Sequence, residues 1–142
     1  MRYAYPYTMA PQPEGGFTVT FPDVREAITE GDTAAEARAH AEDALVAALS
    51  FYTDDAKPLP TPSAARGRPV AMVPPLVAAK LALHDAMLAT GISNVELGRR
   101  LELEEKAVRR LRDPLHRGHI GQIEAALRLL GKRLEIRVLE AT

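Results

Sequence analysis

A cluster of cationic side chains in the second half of the chain offers the clearest chemistry in this sequence. Seven Lys or Arg residues lie between positions 99 and 117 of a chain of 142 residues. Such side chains contact phosphates, and Arg or Lys can also donate hydrogen bonds to guanine edges in the major groove. The cluster therefore predicts a DNA-binding surface. The alternative is a small helical bundle with a solvated Arg face, which seldom needs so many cations.

The spacing around this cluster is typical of a helix-turn-helix unit. Gly98 supplies the small residue at which two helices can cross. The apolar residues predicted to face the core are Leu97, Leu101, Leu103, Val108 and Leu111. The second helix is predicted to expose Glu105, Lys106, Arg109, Arg110 and Arg112. We predict that these five side chains, with Arg117 in the segment that follows, contact DNA.

One position departs from the helix-turn-helix pattern. The turn usually has Gly shortly after the first helix because φ is positive there, whereas this sequence has Glu102. A non-Gly residue can adopt that conformation at some cost. The departure bears on the detailed geometry of the turn more than on the identification of the motif.

Acidic residues in the first half of the chain offer a competing chemistry. Four of them cluster near predicted strand ends, namely Asp23, Glu26, Glu30 and Asp32. Paired carboxylates can bind Mg²⁺ or transfer protons, which leaves open a metal-dependent nuclease, although turn and capping roles explain Asp23 and Asp32. His116 and His119 have no acidic or thiol companions and are expected to contact phosphate or face solvent. We predict a protein that is not an enzyme and holds neither a metal nor a cofactor.

Alternating apolar and polar residues at the start of the chain predict a β-β-β-α unit over residues 1–57. Strands are expected within residues 3–9, where Pro6 interrupts the pattern, and at 17–21 and 27–29. Thr33 and Glu36 have capping-box spacing and begin a helix whose Ala residues permit close approach to a sheet. A further short strand is left open as the element that closes the unit.

Proline dominates residues 58–75, which contain six of them and are predicted to form a semi-extended linker. Residues 76–142 are then predicted to form a second domain of short helices at 76–88, 93–101, 104–112 and 120–130. Leu134, Ile136 and Val138 alternate with charged residues and predict a final strand. Because one strand cannot stand alone, it is expected to pair within the domain or with the same strand of a second subunit.

Charge is distributed unevenly between the two halves. Residues 1–57 carry ten acidic and four basic groups, whereas the rest of the chain has a balance of +5. The asymmetry predicts two surfaces with partners of opposite charge, although two soluble domains that merely differ would show it too. There is no Cys, and neither a signal peptide nor a membrane span is apparent, so we expect a cytoplasmic protein.

Several short motifs occur in an order that resembles the HicB family of antitoxins. Residues 16–24 read GFTVTFPDV, residues 29–33 read TEGDT and are followed by Glu36-Ala37, and residues 59–63 read LPTPS. They are similar to the family's strand and FPD turn, its GDT helix start and its LP-x-PS exit. Residues 97–111 and 130–134 resemble the helix-turn-helix variant of the same family. The resemblance is with HicA–HicB toxin–antitoxin pairs and covers both halves of the chain.

The resemblance implies properties that periodicity does not reveal. It implies an α+β protein whose first domain is a reduced RNase H-like fold without nuclease activity. The partner would be a small, basic, mRNA-cleaving HicA-type toxin, and the second domain would repress the shared operon by binding operator DNA. Because a palindromic operator is read by two recognition helices, we also expect a homodimer or higher homo-oligomer. The acidic balance of the first domain agrees with a basic partner. Two alternatives stay open: a nuclease targeted to DNA, and a stand-alone transcription regulator that senses a small molecule.

Overall fold

A computed structural model of the chain describes residues 2–141, and Met1 and Thr142 lie outside the described residues. The architecture is mixed α+β, as predicted. The first part of the chain contains β1 (Ala4–Pro6), β2 (Thr8–Pro11), β3 (Phe17–Thr20), β4 (Ile28–Gly31) and α1 (Ala34–Asp54). The remainder contains β5 (Val70–Met72), α2 (Pro75–Thr90), α3 (Asn94–Leu101), α4 (Glu105–Arg112) and α5 (Ile120–Leu129).

The strands form two small antiparallel sheets. β2, β3 and β4 make one sheet in that order, and β1 pairs with β5 in the other. Pro6 lies at the end of β1, so the predicted interruption of the first strand is confirmed. The N–H of Tyr7, between β1 and β2, donates to the carbonyl of Pro69 at 2.9 Å and extends the pairing of β1 with β5 by one residue.

Helix α1 begins with the predicted cap. The Thr33 hydroxyl accepts a hydrogen bond from the N–H of Glu36 at 3.1 Å, while the Glu36 carboxylate accepts one from the N–H of Asp32 at 3.3 Å. The apolar stripe of the helix packs on the sheet and is fully buried at Ala37, Ala41, Leu45 and Leu49. Small residues are needed at this contact, because a Cβ on Gly31 would lie 2.4 Å from the backbone nitrogen of Ala37.

The prediction that residues 58–75 form a linker without packed structure is wrong in part. β5 lies within this stretch, and Leu59, Ala71 and Val73 are buried. They belong to the hydrophobic core between the strands and α1, which we call the first core. The proline residues flank the strand at 69 and 74 instead of interrupting it, so no ladder donor is lost. Whether the domain boundaries lie at 57 and 76 stays a prediction.

The four helices of the second half match the predicted segments to within a few residues. A second hydrophobic core lies between α2, α3, α4 and α5. The two cores meet along α2, where Val77 and Leu81 belong to the first core and Leu83 and Met87 to the second. Within residues 2–141, no single helix is long and apolar enough to cross a membrane, and only α2 and α3 taken together across a 110° bend satisfy length and composition.

The strand predicted at 134–138 is not present in this chain. The described residues after Lys132 belong to no helix or strand, and Ile136 and Val138 have exposed fractions of 63% and 97%. A strand exists only when a neighbour accepts and donates its backbone hydrogen bonds, and no segment within residues 2–141 pairs with this one.

Candidate nucleic-acid interface

Helices α3 and α4 pack closely at Gly98. A Cβ at this position would lie 2.6 Å from the carbonyl oxygen of Leu103 and 3.3 Å from Cγ2 of Val108, so only Gly fits without movement. The N–H of Leu103 donates to the Gly98 carbonyl at 2.8 Å and closes the turn between the helices. The side chains predicted to face the core are buried at Leu97, Val108 and Leu111, and half-buried at Leu101 and Leu103.

Glu102 has φ 57° and ψ 42°, in the left-handed region that the turn requires. Its N–H donates to the carbonyls that end α3, as a C-terminal cap does. A side chain in this conformation is strained because its Cβ crowds the following carbonyl oxygen.

Glu102→Gly is therefore expected to stabilise the fold by about 0.5–1 kcal/mol, as relief of strain at a positive φ outweighs the added entropy of the unfolded chain. Urea unfolding followed by circular dichroism measures the change. Ala125→Gly, at an exposed site inside α5, is the matched control and should destabilise by about 1 kcal/mol. A loss of stability in Glu102→Gly would show that the side chain makes a contact that outweighs the strain.

Cationic side chains cover the outer face of α4. Lys106, Arg109 and Arg110 are exposed there, and Arg117 is exposed in the segment between α4 and α5. Glu105 is half-buried, and its carboxylate accepts a hydrogen bond from Nε of Arg109 at 3.0 Å. This pair orders the Arg109 side chain along the helix, while the other cations stay available to a ligand.

Arg112 does not lie on that face, so the expectation that it is exposed on α4 is wrong. Its Nη1 donates to Oδ1 of Asn94 at 2.7 Å and its Nη2 to Nδ1 of His84 at 2.8 Å. Its Nε is buried and finds no acceptor within residues 2–141. Burial lowers the pKa of the Arg112 guanidinium, although it remains a cation. Helical spacing places position 112 on the inner side of α4, next to Val108 and Leu111.

Two polar residues of α2 that sequence analysis did not use hold the end of α4. Nζ of Lys80 donates to the carbonyl of Arg110 at 2.6 Å, and Nδ1 of His84 accepts from Arg112 at 2.8 Å. The other ring nitrogen of His84, Nε2, lies 2.7 Å from the carbonyl of Lys57. Both side chains are fully buried, and burial is the largest cause that lowers the pKa of each. Their signal in the sequence is two basic residues four positions apart, on one side of a largely apolar helix.

Helix α3 carries a second exposed cationic pair. Arg99 and Arg100 both donate to the carboxylate of Glu96, at distances of 2.6–3.0 Å. These hydrogen bonds lower the pKa of Glu96 to about 2, so it remains ionised under all ordinary conditions. The three side chains together keep one net positive charge on this face of α3.

Three of the four clustered acidic residues accept hydrogen bonds from other segments of the chain. Asp23 accepts hydrogen bonds from the N–H and the hydroxyl of Ser63, at 2.9 and 2.8 Å, which joins the FPD turn to the LP-x-PS exit. Glu26 accepts a hydrogen bond from Tyr52, and Glu30 accepts one from Gln12. In the part of the chain that the structure describes, no three His, Cys, Asp or Glu side chains come together in a way that could hold a metal ion.

Comparison with known proteins finds a family model and several relatives that all share one description. Residues 4–82 match the family model described as HicB_like antitoxin of bacterial toxin-antitoxin system. Antitoxin HicB 2 of Photorhabdus laumondii is 45% identical over 123 residues, covering 87% of this chain and 88% of that protein. Antitoxin HicB of Escherichia coli K12 is 39% identical over 133 residues, covering 93% of this chain and 96% of that protein. Antitoxin HicB of Pseudomonas fluorescens is 38% identical over 126 residues, or 87% and 86% of the two chains.

Proposed function

The chain belongs to the HicB antitoxin family of toxin–antitoxin systems, and we propose from this premise that it neutralises a HicA-type toxin and represses its own operon. The toxin would be a small, basic, mRNA-cleaving protein. Family membership supports the first activity. The exposed cations of α4, held against α3 at Gly98, support the second. Both activities would take place in the cytoplasm, where mRNA and operator DNA are found.

The N-terminal unit, predicted over residues 1–57, would bind the toxin as a reduced RNase H-like domain that has no nuclease activity of its own. Its excess of acidic over basic groups favours encounter with a basic protein. The hydrogen bonds of Asp23, Glu26 and Glu30 give these carboxylates structural roles and supply no metal site. The unit therefore acts by covering the toxin and not by chemistry.

Mixing the purified chain with the HicA-type toxin encoded beside its gene should abolish mRNA cleavage at equimolar ratio. Association should slow as salt is raised, because opposite charges on the two proteins steer their encounter. Stopped-flow binding and an in vitro cleavage assay measure the two effects. Cleavage that continues in a large excess of the chain would contradict the proposal, and residual cleavage by the chain alone with Mg²⁺ would favour a nuclease instead.

Helices α3 and α4 would act as a helix-turn-helix in which α4 lies in the major groove. The exposed Lys106, Arg109 and Arg110 would reach bases and phosphates, and Arg117 would contact the backbone beside them. The positive φ at Glu102 and the close contact at Gly98 are the geometry that such a unit needs. Arg99 and Arg100 of α3 are also exposed and would add phosphate contacts.

Repression through a palindromic operator would require a dimer, because two recognition helices must lie about 34 Å apart on one face of the DNA. The C-terminal segment is the candidate dimer contact. Leu134 packs against the second core, whereas Ile136 and Val138 are exposed in a segment that has no partner strand within residues 2–141. Pairing with the same segment of a second copy would satisfy its backbone groups and cover its apolar side chains.

A further inference from the structure

A chain of hydrogen bonds that passes through the buried His84 connects the end of α1 to helix α4. It begins at the carbonyl of Lys57, just after α1, and passes through the imidazole of His84 to Arg112 and then to Asn94 at the start of α3. Each of the three contacts measures 2.7 or 2.8 Å. The contacts therefore join four segments of the chain that are distant in sequence.

The protonation of His84 follows from its partners. Arg112 can only donate, so Nδ1 of His84 must accept, and the Lys57 carbonyl can only accept, so Nε2 must carry the proton. The ring is neutral and both nitrogens are satisfied. A ring held on both sides in a fully buried site has a single orientation. Its Nδ1 acceptor therefore has a fixed position, which fixes the Arg112 guanidinium that donates to it.

Helix α2 holds the last turn of α4 at two points. One turn before His84, the Lys80 ammonium donates to the carbonyls of Arg110 and Leu111, at 2.6 and 3.4 Å. Those carbonyls have no partner within α4, as is usual in the last turn of a helix. The apolar side of α2 meanwhile packs into the first core through Val77 and Leu81. One helix therefore touches both the N-terminal unit and the end of the proposed recognition helix.

We propose that His84 and Arg112 are positioning residues, which fix α4 against the N-terminal unit without themselves contacting DNA. The inference rests on the proposed operator binding. Arg112, predicted from the sequence to contact DNA, instead connects α4 to α2 and α3 through its hydrogen bonds to His84 and Asn94. His84 connects the end of α1 to Arg112, because its ring contacts both the Lys57 carbonyl and the Arg112 guanidinium.

Three variants separate positioning from contact. Arg112→Met removes the hydrogen bonds to Asn94 and His84. His84→Gln keeps a polar group near Nε2 but removes the acceptor that faces Arg112. His84→Asn is the matched control, because its amide oxygen lies near the position of Nδ1 and still accepts from Arg112. Each is measured as the full chain on the DNA fragment that precedes its own gene, over a range of salt concentrations.

Arg112→Met and His84→Gln should weaken operator binding roughly tenfold or more, since each removes a hydrogen bond to a charged group. His84→Asn keeps the acceptor for Arg112 but loses the hydrogen bond to the Lys57 carbonyl, so it should weaken binding less than His84→Gln does. The slope of log affinity against log salt should be unchanged in all three, whereas loss of a phosphate contact lowers that slope by about one. A reduced slope in Arg112→Met would show that Arg112 contacts DNA, and unchanged affinity in Arg112→Met and His84→Gln would also overturn the proposal.

Hydrogen exchange on the free protein tests positioning independently of DNA. The amides of α4 should exchange faster in His84→Gln and Arg112→Met than in the parent chain or His84→Asn, while those of α1 keep their protection. Equal protection of α4 in all four proteins would overturn the inference. If the parent chain failed to bind its own upstream DNA, operator binding would be refuted, and the exchange rates would still decide whether His84 and Arg112 position α4.

Discussion

Replacing Arg109 and Arg110 together by Ala should abolish operator binding while leaving toxin inhibition intact. Both side chains are exposed on the outer face of α4, where a DNA ligand would meet them. A good base contact by Arg contributes about 1–3 kcal/mol, so the loss of two, about 2–6 kcal/mol, should weaken affinity by at least about 30-fold. Toxin inhibition should persist because neither side chain belongs to the N-terminal unit.

The expected size of this effect depends on where the cations lie and not on their number. Arg109 is paired with Glu105 at 3.0 Å in the free chain, but the pair is exposed, so exchanging it for a phosphate or a guanine costs little. The salt slope of operator binding should fall by about one for each phosphate contact that the double variant loses. Gel shifts at several salt concentrations measure both the affinity and the slope.

Arg128 offers a matched control for this prediction. It lies on α5, is exposed, and pairs with Glu124 four residues earlier at 2.9 Å, in the same arrangement as Arg109 with Glu105. Arg128→Ala removes an equivalent cation outside α4 and should change operator affinity only slightly. If the Arg109 and Arg110 double variant bound the operator as the parent chain does, α4 would not be the recognition helix.

Local patterns were sufficient to predict most elements of this fold. Capping residues located the start of α1 at Thr33 and of α3 at Ser93, because a hydroxyl that accepts from the third following N–H acts within one turn. The crowded contact at Gly98 and the positive φ at Glu102 were likewise read from short-range spacing. Features that depend on neighbouring residues along the chain are visible in the sequence.

Features that depend on a distant partner were not predictable in this way. β5 lies in a proline-rich stretch and exists because β1 accepts it as a neighbour, whereas residues 134–138 have a strand pattern but no neighbour in the chain. Arg112 has the residue type of a DNA contact, yet the acceptors on His84 and Asn94 turn it inward. No local pattern records which side of a helix will meet a polar group from 18 or 28 residues away.

Gly98→Ala should abolish operator binding by a different route, since it removes no charge. The new Cβ would lie 2.6 Å from the Leu103 carbonyl oxygen, and because this atom is backbone, the turn between α3 and α4 must move. Overpacking of this kind costs about 1–3 kcal/mol, which lowers the melting temperature by several degrees. The orientation of α4 changes with the turn, so affinity for the operator should fall more than stability does.

Two further glycines make the experiment specific. Gly121 lies in α5 with open space around it, so Gly121→Ala should be neutral or stabilising by up to about 1 kcal/mol and should leave both activities unchanged. Gly31→Ala would bring a Cβ within 2.4 Å of the Ala37 nitrogen, in the N-terminal unit. It should weaken toxin inhibition while operator binding survives.

The two crowded glycines therefore test whether the two proposed activities reside in separate units. Thermal unfolding, gel shifts and toxin inhibition measured on the same three variants distinguish a local change from general unfolding. Gly98→Ala with normal operator affinity would remove the close helix contact as a requirement for DNA binding. If Gly31→Ala and Gly98→Ala each impaired both activities equally, the units would be coupled through α2, which packs in both cores and holds α4 through Lys80 and His84.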